Sequence, residues 1–591
     1  VVACVGLLAV YAVVAWAAAA GESPTFDEPY HALSAWVQWH RHDFRIDNED
    51  PPLWQYWASL PNGRDAVRAD FQGPLWRDMG TAVSNQWTWT HATLYGTPGN
   101  DAAAFVRRCR AMMLVVAVAL GAMIAAWAWR LGGPVAAVAA TALFALDPNF
   151  LAHGSLMKND VAGALAWLAL AWALWDVGRR ATVGRVVRVV VLAAVPITIK
   201  YNGVLAGALV PAMLGIRALR REPWEVWGRT IATRRGRIAV AGGITLAAAG
   251  TAVVAIWAVY GFRYRSGPDV GDRLDVAMLA DRAAGHERQL GRRSPGLAVR
   301  AAVVADRHHL LPQPFVAGFL FTYGESLIRP SYLLGETSLT GWWYYFPAVM
   351  LMKTPVATAV AVALAVWMGR RRRWGWTAVS LGVPIAIYMA SAMSTNLNIG
   401  VRHVLPVYPL AFVAVGWAVA VAVERWGRRA TIAGIASLVG LGVETAVAWP
   451  SFIPFANGPS LAWAGGDRRR LFGDSNLDWG QDLPTLAAWQ RGHPGDLYLA
   501  YFGAADPRAY GIAYTSLPGG YEYDRPPRRL PALDRPAWVA VSAALLEGTD
   551  YTDARFRDYY RALAGRRPAA VLGASIYVYR ADPLDQLRIG R

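Results

Sequence analysis

Apolar residues gather in eleven runs along the chain, at 1–20, 111–129, 134–152, 160–176, 186–200, 203–216, 238–260, 344–368, 376–395, 404–423 and 430–449. About 20 consecutive apolar residues cross a bilayer as a helix, so these runs predict a multi-pass membrane protein. The pair at 186–216 is short, because Pro196 and the turn Lys200-Tyr201-Asn202-Gly203 interrupt it. Three long polar segments remain, at 21–110, 261–343 and 450–591. In the last, Leu497–Phe502, Trp538–Ser542 and Ile576–Tyr579 read as buried strands, and Asp482–Arg491 reads as a short helix. The predicted organisation is therefore a transmembrane domain over 1–449 and a small α/β domain over 450–591. No internal repeat is visible, whereas a transporter built from inverted repeats would show matching halves.

Composition agrees with that pattern. Hydrophobic residues make up 55% and charged residues 17%, against about 25% charged in a typical soluble domain. The net charge of +17 would be a nucleic-acid signal if it were clustered on one polar face, but most of the excess lies between spans. Arg130, the segments 179–188 and 217–237, Arg370–Arg373 and Arg425–Arg429 together carry 19 Arg against four acids, Asp176, Glu222, Glu225 and Glu424. By the positive-inside rule that side is cytoplasmic, and no nucleic-acid partner is needed. The three long segments and the C-terminus then face outward, and the N-terminus lies inside. Val1–Ala20 is read as a first span, not a cleaved leader. Strong preference for Arg over Lys fits a GC-rich bacterial source, hence a plasma (inner) membrane location. Cys4 and Cys109 fall near opposite membrane faces and predict no disulfide.

Four sets of residues carry candidate chemistry. The first outer segment opens with Asp27, Glu28 and His31, then continues through Glu49-Asp50-Pro51-Pro52-Leu53 to Trp54, Tyr56 and Trp57, which suit an interfacial helix. From these residues alone Asp27 and Glu28 fit a helix cap somewhat better than catalysis. Asp160 follows His153-Gly154 and Lys158-Asn159 at the start of the fourth span, where a carboxylate is also favoured by the helix dipole. Lys200, Lys353 and Arg402, with His403 beside it, sit at the outer ends of spans. Cations there point to an anion site, or snorkel to the surface. Asp474-Ser475-Asn476-Leu477-Asp478-Trp479-Gly480-Gln481-Asp482 is a dense polar loop feeding a helix, in which Asp478 and Gln481 are candidates for function or for turn-forming.

These motifs, in this order and on this side, resemble the lipid-dependent C-type glycosyltransferases. The branches they resemble are the protein O-mannosyltransferase-like and aminoarabinose-transferase-like ones, including bacterial phospholipid-carrier-dependent glycosyltransferases. The resemblance covers nearly the whole membrane part and rests on Asp27-Glu28, Glu49-Asp50-Pro51-Pro52-Leu53, Asp160, Gly341–Phe346 with Lys353-Thr354-Pro355, Gly400-Val401-Arg402-His403 and Asp474–Leu483. It implies the C-type glycosyltransferase fold, a polyprenyl-phosphate-linked sugar donor, transfer on the outer face with inversion, and an Asp at position 27 as base. Residue 50 departs from the family pattern, which usually has His or Lys there. Some relatives bind a metal in this region; with Asp50 here and no clean ligand set, a divalent metal stays open and no other cofactor is implied.

The implied chemistry needs one base near the acceptor hydroxyl and cations near the departing phosphate. Asp27 is the expected base, Lys353, Arg402 and Lys200 the expected phosphate cations, and Asp160 and Glu28 the groups that orient acceptor or sugar. Glu49, His31, His403, Asp478 and Gln481 are expected around the substrate. The acceptor, whether protein, glycan or lipid, is not chosen by these residues. A transporter or lipid flippase without chemistry also accounts for many spans and buried cations, but not for the unequal outer loops.

Overall fold

A computed structural model of the protein describes residues 1–269, 271–371, 375–526, 537–548 and 559–581; Arg372 and Arg373 of one basic cluster lie outside the described residues. Eight helical runs among these are long and apolar enough to cross a membrane, or nine when the bent pair Tyr345–Lys353 and Val356–Gly369 counts as one span. Eleven were predicted; the runs at 111–129 and 134–152 count there as one stretch, Ala102–Ala145, but the chain leaves helical geometry at Gly132 and Gly133 and forms two helices, so the one prediction that departs is the run at 186–200. Gly133 takes φ 69°, which a side chain would strain, and Pro134 starts the second arm. A Cβ at Gly121 would lie 2.6 Å from the Phe144 ring. Those two positions are equidistant from the glycine pair, so the arms fold back on each other as a hairpin. The run predicted at 186–200 forms only the helix Val183–Ala194, followed by a tighter turn at Pro196–Thr198. Twelve residues rise about 18 Å, short of the roughly 30 Å hydrocarbon core.

Asp160–Arg179 is the central helix, buried along most of its length, while Val2–Ala20 and Arg428–Ala448 present most of their surface outward. Trp127 and Trp167 fill the interior around it.

The first long segment folds into the helices Glu28–Arg41, Leu53–Ser59 and Asn85–Leu94 around a core containing Tyr30, Trp36, Trp54, Trp76 and Trp89. Trp54 therefore faces inward against the His31 ring, 5.5 Å away, and not the bilayer as expected for an interfacial helix. The second segment forms Val276–Gln289, Leu297–Arg307 and Gln313–Leu327. It meets the first closely: a Cβ on Gly318 would fall 1.8 Å from the Asn48 carbonyl oxygen, so only glycine permits this approach.

The C-terminal part holds a five-stranded sheet in the order Thr515–Ser516, Asp496–Ala500, Ala537–Ser542, Ile576–Ala581, Ala570–Leu572. The first three strands are parallel, and the last two pair antiparallel. Its inner strands are apolar almost throughout, as expected when both faces are covered. The helix Leu483–Gly492 precedes the sheet. Phe26 stacks on Phe502, just beyond an inner strand, with centroids 5.0 Å apart, and so joins this part to the start of the first long segment.

Candidate functional site

A cavity of about 670 Å³ opens where the first two long segments meet the ends of the central helices. Asp27, Glu49, Asp50, Lys158, Lys200, Arg402 and His403 line it, with an apolar flank of Val204, Leu205, Phe346, Leu397 and Ile399. Asp27 stands at the N-terminus of Glu28–Arg41 without capping it through its side chain. Its carboxylate is 23% exposed and reaches Lys158 Nζ at 3.2 Å and Arg402 Nη2 at 4.0 Å. Burial pushes the Asp27 carboxyl up, but the Lys158 ammonium and the Arg402 guanidinium outweigh it and hold Asp27 well below the usual carboxylate range.

Arg402 bridges two carboxylates. Its other side meets Asp160 at 3.5 Å, and Asp160 accepts from Lys200 Nζ at 2.5 Å. Asp160 is 2% exposed and does not line the main cavity, so it acts as the counter-ion of Arg402 and Lys200. The polar loop at 474–482 fixes Arg402: Ser475 Oγ accepts from Arg402 Nε at 3.0 Å, and the Trp479 ring lies 4.4 Å from the guanidinium carbon. The same loop pins the segment before Asp27. Ser23 N donates to Gln481 O and Phe26 N to Trp479 O, each at 2.9 Å. Asp478 accepts from Gly480 N and Ala544 N, and Gln481 Oε1 accepts from Trp479 N. Asp478 and Gln481 therefore hold the loop and do not reach the cavity. Burial pushes the Asp478 carboxyl up to about 8.

Two residues expected at the reaction lie elsewhere. Glu28 is buried and accepts from Arg110, Thr25 N and Met157 N, so its oxygens are spent inside the fold. Lys353, expected to hold phosphate, donates instead to the carbonyls of Ile453, Phe455 and Asn476 at 2.7, 3.0 and 3.0 Å. It ends a helix that bends 118° against the next, and the bend turns its ammonium onto that chain segment. Three acceptors use all three of its donors.

Lys158, and not Lys353, lines the cavity. The sequence contains only three lysines, each near a span end, and Lys158 stands two residues before Asp160 in a connection that faces the same space as Asp27. That placement was the available signal. Glu49 is half-buried at the cavity wall. Burial raises its carboxyl to about 8 despite Lys158, so it is largely neutral at pH 7. Asp50 is also raised, first by burial, and accepts from Asn159 Nδ2 at 2.5 Å. His403 is held far below the ordinary imidazole value by burial and by Arg402 and Lys200, and stays neutral.

His31, Asp47 and Asp50 bring three metal-type ligand atoms within 4.8 Å of one another. The His31 nitrogens are already engaged: Nδ1 lies 2.6 Å from Asp47 Oδ2, and Nε2 lies 2.6 Å from Lys158 Nζ. The place of a cation among these acids is thus filled by an ammonium, and the group does not fit an added metal while Lys158 stays. Turnover of any substrate here is expected to be unchanged by excess chelator; loss that a divalent ion restores would contradict this.

No family model matches the chain, and no curated protein matches it. Among solved structures it is similar to ArnT from Cupriavidus metallidurans bound to undecaprenyl phosphate, at 14% identity over 98% of this chain and 97% of that one, with a TM-score of 0.44. It is also similar to the Archaeoglobus fulgidus oligosaccharyltransferase in complex with Zn and sulfate, at 12% identity over 83% of this chain and 56% of that one, with a TM-score of 0.39.

Proposed function

We propose that the chain is a membrane glycosyltransferase that moves a sugar from a polyprenyl-phosphate donor to an acceptor hydroxyl, with inversion and with Asp27 as base. The observation that carries this reading is one cavity in which an accessible carboxylate, Asp27, faces Lys158, Lys200 and Arg402 beside an apolar flank. The flank suits a hydrocarbon chain, and the cations suit a phosphate.

The donor is a phosphodiester with one negative charge. As the anomeric carbon–oxygen bond breaks, the leaving phosphate gains a second charge. Lys158, Lys200 and Arg402 stabilise that charge most where it develops, in a site shielded from bulk water. A phosphate leaves without protonation, so the second carboxylic acid of a glycosidase is not needed. The acceptor oxygen attacks the face opposite the phosphate while Asp27 takes its proton. Before donor arrives, Lys158 and Arg402 hold Asp27 fully ionised. Once they turn to the phosphate, Asp27 becomes more basic just when a base is required.

The test is to incubate the purified protein in detergent with a panel of polyprenyl-phosphate sugars and candidate acceptors, following free polyprenyl phosphate. Release with at least one donor, rising with acceptor, is expected. Release with none of the donors, acceptors included, would overturn the reading in favour of a transporter or lipid flippase.

A further inference from the structure

Behind Asp27, Lys158 leads on to two further short contacts, at His31 and Asp47, that the transfer step itself does not use. Lys158 Nζ lies 3.2 Å from Asp27 Oδ2 and 2.6 Å from His31 Nε2, and His31 Nδ1 lies 2.6 Å from Asp47 Oδ2. His31 and Asp47 are fully buried, so the far end of the series is closed to water. At 2.6 Å one of the two nitrogens, Lys158 Nζ or His31 Nε2, must accept. With Lys158 as ammonium, His31 Nε2 is the acceptor and Nδ1–H points to Asp47. The pair is therefore one proton short of full, and the empty seat is on His31. Asp47 is held to receive it: Gln55 Nε2 donates to Asp47 Oδ2 at 2.6 Å, and its backbone sits at φ 56°, a conformation uncommon outside glycine. Around His31 stand Asp47, Asp50 at 4.0 Å and Lys158, with Glu49 and Asp27 beyond Lys158, and the rings of Tyr30 and Trp54. Burial pulls the imidazole down, but Asp47 lifts it further, leaving it above its ordinary value.

Resting on the reading of Asp27 as base, we propose that the His31–Asp47 pair takes the transferred proton off Asp27, with Lys158 as the carrier between them. In the transfer step the acceptor O–H proton passes to Asp27 as the glycosidic bond forms and the bond to phosphate breaks. In the reset, Asp27 gives that proton to Lys158 while Lys158 gives one of its own to His31 Nε2. Asp27 is again a carboxylate, Lys158 is still an ammonium, and His31 is an imidazolium paired with Asp47. The stored proton returns through Lys158, which lines the cavity, to the departing phosphate monoester, whose second ionisation lies near pH 6. No proton is left over, and no other reactant is required. His31 is thus a proton-storing group that acts through Lys158, and it does not touch the sugar.

The reset follows chemistry, so its loss has a kinetic signature that a loosened fold does not produce. Rapid-quench product formation is compared with steady-state turnover for wild type, His31→Gln and Asp47→Asn, each first checked for a monodisperse elution profile. The variants are expected to form the first product per enzyme at the wild-type rate, then to slow by on the order of 10²-fold, with donor kcat/KM unchanged and KM falling together with kcat. Asp47→Asn keeps the test open if His31→Gln fails to fold. A first turnover slowed as much as the steady state would show that the pair only positions Asp27, and unchanged kinetics in both phases would show that the proton leaves by another route; either overturns the proposal. If wild type releases no polyprenyl phosphate from any donor, the glycosyltransferase reading fails before the variants are compared.

Discussion

An Asp27→Asn protein is expected to bind donor as wild type does and to lose turnover by about 10²- to 10⁴-fold, the usual contribution of a general base. The amide keeps the shape of the side chain and removes its capacity to take a proton. Among the described residues the neighbouring carboxyls are each engaged or raised, Asp50 included, whose carboxyl burial pushes up and which accepts from Asn159. Asp160 is 2% exposed and already accepts from Lys200 and faces Arg402, and Glu28 is enclosed by Arg110 and backbone donors. Glu49 does line the cavity, but it is raised to about 8, so it is mostly the neutral acid at pH 7 and ionises only above that value. This separates the two carboxyls by their pH dependence. Asp27 is held below the usual carboxylate range, so with Asp27 as base the rate is insensitive to Glu49 ionisation and shows no rise through pH 8. The measurement is polyprenyl phosphate release by both proteins between pH 5 and pH 9, using whichever donor the wild type accepts. Equal turnover by the variant, with a rate that climbs through about pH 8, would move the base to Glu49.

What the sequence disclosed and what it concealed divide along a physical line. The place of Asp27 beside the cavity was legible because it leaves a span directly, although a helix cap would have explained the same residue. Arg402 and Lys200 were legible because a cation at a span end must be paired or exposed. Lys158 and Lys353 could not be ranked from position alone, since both lie near outer span ends. What separates them is a 118° bend at Lys353 and three backbone carbonyls from residues a hundred or more positions away. Glu28 was misplaced by its adjacency to Asp27: consecutive residues at a helix start point in different directions, and Glu28 turns into the fold. Strands with long apolar runs, such as Ala537–Ser542, were readable, whereas Thr515–Ser516 and Ala570–Leu572 are too short to carry a pattern and exist because a neighbour pairs with them. The hairpin at Gly132–Gly133 was implied by two adjoining apolar runs, but the failure of 186–200 to span depends on a short helix that ends in tighter turns.

The second large effect is on stability. Arg110→Met is expected to destabilise the protein by about 3–5 kcal/mol, the cost of leaving a buried charge without its partner. Arg110 donates through Nε and Nη2 to Glu28 at 2.8 and 2.5 Å, and through its other donors to the carbonyls of Ala19 and Ser23 at 2.5 and 3.1 Å. One guanidinium thus closes the end of Val2–Ala20 and fixes the segment that leads to Asp27. Glu28 completes the fastening by accepting from Met157 N at 2.7 Å, and Met157 is the residue before Lys158. The base and its neighbouring cation are therefore placed by one buried pair that itself does no chemistry. Burial alone would raise Glu28, but Arg110 and the backbone donors lower it below its ordinary value. A carboxyl depressed in the folded state adds stability above its unfolded value and loses it as pH falls through the folded one. The advantage of wild type over Glu28→Gln should accordingly be full at pH 7 and shrink on acidification below the normal glutamate range. Replacing both partners, as Glu28→Met with Arg110→Met, should recover part of the loss, because two apolar side chains leave no charge stranded. Thermal unfolding in detergent across pH reads all of these. A single Arg110→Met variant as stable as wild type, or a double variant no better than the single, would show that the pair is open to water and that the Asp27 segment is held in place by the 474–482 loop alone.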